Sequence, residues 1–173
     1  GCTDGLNEQH ADELDAAVAA AKWADQVILC LGEEGEQSGE SKCRAMLELP
    51  PAQTELFDAV RAVNAETAVL LLTGRPLAVS ELAENARALL CLWQPGTEGG
   101  HAAARLVYGD AAPSGRLPMT FPRTTGQEPI FYCHKSTGRQ VLQPDNSMDE
   151  LYRSRYIDSP VSPLYPFDFG LTY

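Results

Sequence analysis

The sequence contains no apolar run approaching the roughly 20 residues that a membrane-spanning helix needs, so a helical membrane anchor is not expected within it. It is also short of positive charge: 13 Lys and Arg stand against 24 Asp and Glu, for a formal net charge of −11. Phosphate binding needs a cationic face, and no lysine- or arginine-rich run supplies one locally, so nucleic acid and anionic membranes are excluded as partners. An acidic surface of this kind confers solubility. The five cysteines, Cys2, Cys30, Cys43, Cys91 and Cys133, are odd in number and scattered, with no CxxC pair. That argues against a disulfide framework or a zinc ribbon. Cys30 and Cys91 sit in apolar runs, where a thiol behaves as a small hydrophobe. Reduced core cysteines point to a cytoplasmic setting. The chain opens at "GCTDG" without an initiator Met, as a piece cut from a longer polypeptide does. Any secretory leader then lies upstream, which leaves a secreted or periplasmic location open. "GEEG" and "GTEGG" lack the Walker lysine and the GxGxxG spacing, and adjacent glutamates repel phosphate. There is no GxSxG elbow, and the only histidines are His10, His101 and His134. Internal repeats and low-complexity tracts are absent.

What is present is an ordinary globular composition: 173 residues, 44% hydrophobic and 21% charged, enough for one domain with a real core. From Glu8 to Asp25, Leu14, Ala17, Val18 and Ala21 mark a helical stripe. "QVILCLG" follows as a buried strand ending in Gly. "LPPAQTELFDAVRAVN" is helical, with Pro51 in its first turn and Leu56, Ala59, Val60 and Val63 as its stripe. "TAVLLLTG" is a second strand, "RPLAVSELAENA" a short helix, and "RALLCLWQPG" a third strand. "TEGGHAAARLVYGD" is a helix stopping at Gly109. Continuous apolar strands alternating with amphipathic helices predict an α/β fold with a mainly parallel sheet covered by helices on both faces. In such sheets ligand chemistry gathers at the carboxyl ends of strands. The loops after the three strands should therefore share one rim. Residues 1–110 form this alternating core of a single domain. Residues 111–173, rich in Pro, Gly and Thr, read as a segment that wraps it. Its aromatic end, "LYPFDFGLTY", should pack on something rather than hang free.

The loop "GEEGEQSGESKCR", Gly32–Arg44, concentrates carboxylates: Glu33, Glu34, Glu36 and Glu40. Glu40, on a stretch of small residues, is a candidate general acid, since neighbouring carboxylates or desolvation raise a carboxyl pKa toward neutrality. A solvated acidic loop and a calcium site are the alternatives, although EF-hand alternation is missing. Arg44, four residues after Glu40, suits an ion pair with it at a helix start. Trp93, just after a strand, suits sugar stacking or, more commonly, core packing.

Taken in order, "ADQVILCLGE", "SGESKCR", "LELPPAQTELFDAV", "GRPLA", "WQPGTEGGHAAARLVYGDAAPSGRLPMTFPR", "HKSTGR", "SRYID" and "PLYPFDFGLTY" resemble the C-terminal α/β-sandwich domain of glycoside hydrolase family 3, the β-glucosidases and β-xylosidases. The collinear block from Trp93 to Arg123 is the most specific part. The resemblance implies a retaining β-glycosidase, most simply a β-glucosidase, acting on β-glucosides or small oligosaccharides with no metal or organic cofactor. It makes Glu40 the general acid/base. The nucleophile would be an aspartate in an upstream barrel domain of the same polypeptide, so this chain alone should be close to inactive. Glu33 is expected to anchor the loop and Arg44 to hold it; Arg75, Trp93, His134 and Arg139 are interface or bracing residues. The chain also starts one strand–helix unit later than the family pattern. That exposes a sheet edge or an apolar face, which exchange of elements in a homodimer would cover. A non-catalytic sugar-binding or domain-interface module, and a stand-alone flavodoxin-like domain, are the rival readings.

Overall fold

The computed structural model describes residues 11–133, 135 and 156–173. Cys2, His10, His134 and Arg139, and the start of "SRYID", lie outside the described residues. The element order is α1 (Ala11–Trp23), β1 (Val27–Gly32), α2 (Pro51–Val63), β2 (Thr67–Leu72), α3 (Ser80–Asn85), β3 (Ala88–Cys91) and α4 (Gly99–Val107), with a 3₁₀ turn at Thr125–Gln127. The three strands form one parallel sheet in the order β1-β2-β3.

Register decides which residues face the core. Leu29 aligns with Val69 and Leu89, and Leu31 with Leu71 and Cys91. Side chains alternate along a strand, so this row shares one face. On it pack Phe57 of α2 and Leu82 of α3, together with Leu49, Leu77, Val79 and Phe121. Ile28, Cys30, Ala68, Leu70, Ala88 and Leu90 form the opposite face. Among the described residues that face is less covered, with Ile28 45% exposed and Cys30 exposed.

Local chemistry explains the element ends. Pro50 and Pro51 start α2, where a missing N–H is harmless. The core-facing pair of that helix is Phe57 and Val60, while Val63 is 37% exposed, so the buried stripe is rotated from the expected one. Residues 75–79 are not helical: Arg75 precedes a proline, which disfavours helical backbone, and Ala78 N–H bonds instead to Leu47 C=O at 3.0 Å. α3 therefore begins only at Ser80. The aromatic C-terminus packs as expected. Phe121 and Tyr165 form an antiparallel bridge, Tyr165 stacks on Phe169 with centroids 4.7 Å apart, and Tyr173 Oη donates to Leu106 C=O at 2.7 Å.

Asn64, the C-terminal cap of α2, ties the two packed helices. Its Nδ2 donates to Ala21 and Ala24 C=O at 3.0 and 2.8 Å, and its Oδ1 accepts from Glu66 N–H at 3.0 Å. Asn64→Ala strands these groups and should destabilise the chain by about 1–3 kcal/mol. Urea denaturation should show the midpoint falling at constant slope; an unchanged midpoint would refute the tie.

Candidate active-site loop

The loop between β1 and α2 begins from a fixed strand end. Gly32 pairs with β2 on one side, and on the other its N–H and C=O are both satisfied by the Gln53 amide, at 2.8 and 2.9 Å. The first turn of α2 thus holds the point where the loop departs. The next residue, Glu33, turns inward, and its side chain is 0% exposed. Arg44 Nη1 lies 2.9 Å from Oε1, and Arg75 Nε lies 3.0 Å from the same oxygen. Thr73 Oγ1 and Gly74 N–H donate to Oε2 at 3.0 and 3.3 Å. A buried carboxylate surrounded by two guanidinium groups and two neutral donors is stable only as a complete set.

From this hub the chain makes two reverse turns. Glu34 C=O accepts from Gln37 N–H at 2.9 Å, and Gly39 C=O accepts from Lys42 N–H at 3.2 Å. In the second turn Glu40 occupies the second position. Ser41, in the third, has a left-handed φ of 61°, as a type II turn demands. Gly39 itself has φ 122°, a conformation that favours glycine. Glu40 is exposed, and among the described residues its carboxyl has no hydrogen-bond or ion-pair partner.

The stem beneath that turn is braced from the other two strand ends. Arg75 Nη2 donates to Gln37 C=O at 2.7 Å and to Lys42 C=O at 2.8 Å. Gln94 Nε2, after β3, donates to Ser38 Oγ at 3.2 Å. A Cβ on Gly74 would overlap Ser38 Oγ, so glycine there lets the two loops meet. Thr73 N–H donates to Trp93 C=O at 3.2 Å. The three strand-end loops therefore do share one rim. Across the loop, Lys42 Nζ pairs with Glu36 at 2.6 Å in an exposed bridge. The Lys42 hydrogen bond, then its positive charge, hold the Glu36 carboxyl below its ordinary pKa. That tie is present in neutral solution and is lost as the pH falls through the lowered value.

One sequence expectation is revised by these contacts. Arg44 pairs with Glu33, not with Glu40, because residues 40–49 form no helix that would set them one turn apart. Its Nη2 instead grips Glu48 C=O at 2.7 Å on the outgoing limb. Trp93 is half-buried against Phe121, ring centroids 5.6 Å apart, with a left-handed φ of 55° that turns Gln94 toward the rim. Among the described residues, His101 makes only an exposed pair with Glu98. Thr73 and Gln94 carried no sequence signal of their roles beyond their position near strand ends, and Ser38, within the loop, and Gln53, in the first turn of α2, carried none. Glu34 Oε1 and Glu48 Oε2 are buried without a partner among the described residues. No three His, Cys, Asp or Glu among the described residues gather closely enough to hold a metal.

Fold and site together define an α/β domain whose parallel sheet presents an exposed carboxyl, that of Glu40, on a braced loop at its carboxyl rim. Residues 2–173 match the family model described as the glycosyl hydrolase family 3 C-terminal domain. The periplasmic beta-glucosidase of Salmonella typhimurium is 42% identical over 160 residues, covering 92% of this chain and 20% of that protein. A beta-xylosidase of Formosa agariphila is 37% identical over 157 residues, with 91% and 20% covered. Among solved structures, the beta-glucosidase of Listeria innocua in complex with isofagomine superposes with a TM-score of 0.90 at 43% identity, covering 97% of this chain and 23% of that one. The chain belongs to glycosyl hydrolase family 3, as its C-terminal domain. It spans about one fifth of the length of these curated relatives. No described helix is long and apolar enough to cross a membrane.

Proposed function

We propose that this chain is the C-terminal part of a retaining β-glucosidase and supplies its general acid/base, Glu40, to a pocket in a preceding barrel domain that carries the nucleophile. The observation that supports this reading is the contrast between two of the four loop carboxyls. Glu33 is saturated by donors and buried, whereas Glu40 stands exposed in a turn and, among the described residues, unpartnered. A residue that must meet a substrate delivered by another domain needs the second environment. The short coverage of the relatives, about one fifth, leaves ample chain for that domain.

In the proposed reaction the barrel carboxylate attacks the anomeric carbon of a terminal β-glucosyl residue while Glu40 gives its proton to the departing glycosidic oxygen. The glycosyl ester that forms is then attacked by water, whose proton returns to Glu40, releasing β-glucose and the free nucleophile. Two carboxyl groups about 5–5.5 Å apart suffice for this chemistry, and the double displacement retains configuration. Substrates would be β-glucosides and small oligosaccharides, in keeping with relatives named beta-glucosidase and beta-xylosidase.

The test is stereochemical. Proton NMR of a reaction run by the full parent polypeptide should show β-glucose first, with the α anomer appearing only by mutarotation. The isolated 173-residue chain should release none. First appearance of α-glucose, or equal turnover by the isolated chain, would overturn the proposal.

A further inference from the structure

We infer that Arg75 is a positioning residue for Glu40: by clamping both limbs of the loop onto the buried Glu33, it sets how far the acid turn reaches from the sheet rim. The inference rests on the reading of Glu40 as the acid. Its basis is the uneven distribution of ties along the loop. Arg75 Nη2 holds the carbonyls of Gln37 and Lys42, the residues that flank Ser38–Ser41, at 2.7 and 2.8 Å. Its Nε is 3.0 Å from Glu33, and the side chain is 19% exposed. One rigid planar group therefore fixes the spacing of the two limbs and their distance from the end of β1. A guanidinium delivers its donors in a fixed fork, so no single contact can shift without the others.

No other tie among the described residues does this. Arg44 shares Glu33 but grips only the outgoing limb, at Glu48 C=O. The Lys42–Glu36 bridge is exposed and weakly held in water. The Ser38–Gln94 bond is a single exposed contact on one limb at 3.2 Å. Lysine at position 75 would keep the positive charge facing Glu33. Its one ammonium on a shorter reach could not also span both carbonyls. Loss of the clamp lets the turn move without removing the acid, and a displacement of about 1 Å at a reacting group lowers rate by about 10²-fold.

The experiment measures kcat/KM of the full parent polypeptide on aryl β-glucosides ranging from dinitrophenyl to unsubstituted phenyl. This constant reports the step in which the aglycone leaves, and only poor leaving groups need a well-placed proton. Arg75→Lys should lower kcat/KM by about 10–100-fold for phenyl glucoside and hardly at all for dinitrophenyl glucoside, steepening the leaving-group dependence. Arg75→Ala should show the same pattern, with added ethylguanidinium restoring phenyl glucoside turnover selectively. A uniform loss across the series, or none, overturns the proposal, since a purely structural residue changes the active fraction for every substrate alike. Failure of both variants to fold at any temperature, read by circular dichroism, likewise assigns Arg75 to the fold and counts against it. Glu40→Ala on the same series separates the two levels. If that variant steepens the dependence and Arg75→Lys does not, only the positioning role fails. If Glu40→Ala is indifferent to leaving group, the acid assignment fails and takes the inference with it.

Discussion

Glu40→Ala in the parent polypeptide is expected to lower kcat/KM for phenyl β-glucoside by about 10²–10⁴-fold, the range that a general acid contributes. The dinitrophenyl glucoside should lose little in kcat/KM, because its aglycone departs without a proton. Its kcat should nevertheless fall, since the second step still needs a base to activate water. KM should fall with it as the glycosyl ester accumulates, and a burst of dinitrophenol should become visible. Azide needs no base and fits the space that the carboxylate leaves. It should restore turnover and yield a β-glucosyl azide. The side chain is exposed and makes no hydrogen bond or ion pair among the described residues, so its removal should leave the thermal midpoint unchanged. A variant that turns over natural disaccharides at the parental rate would show Glu40 to be a bystander and return the chain to an interface role.

Glu33→Ala should act in the opposite way, on the fold before the chemistry. It leaves Arg44 and Arg75, whose side chains are 20% and 19% exposed, facing a cavity with no counter-charge. Breaking one side of a buried ion pair costs about 3–5 kcal/mol, and the partial exposure of both arginines places the effect toward about 3. For a chain of this size each kcal/mol moves the thermal midpoint by about 2–4 °C. A fall of about 6–12 °C in a melt followed by far-UV circular dichroism is therefore expected. Adding Arg75→Met to Glu33→Ala should cost less than the sum of the two single changes, because it removes one of the stranded charges. A midpoint within a degree of the parent's would show that solvent reaches the arginines freely and that Glu33 is no hub.

The contrast between these two glutamates shows how far a linear reading goes. Periodicity alone placed the helices and strands in their correct order, because a buried parallel strand must be continuously apolar and an amphipathic helix must repeat near every 3.6 residues. It erred where packing geometry rules, at the rotated stripe of α2 that buries Phe57 rather than Val63, and where a proline and a distant carbonyl delay the start of α3. The motifs from "SGESKCR" to "PLYPFDFGLTY" were enough to recognise the family, since they are local strings. They were not enough to find Arg44's partner, which is Glu33, or to single out Arg75 from the other bracing residues.

By itself, then, the sequence determined the α/β alternation, the rim on which the loops gather and the family to which the chain belongs. Only the tertiary structure decided which carboxyl in a run of four is sealed in and which stands free. The physical reason is that a glutamate is buried only where counter-charges meet it. Those of Glu33 come from Arg44, 11 residues on, and from Arg75, 42 residues on, beyond the next helix and strand. No local pattern encodes that meeting; it exists once β1 and β2 are in register and their ends lie side by side.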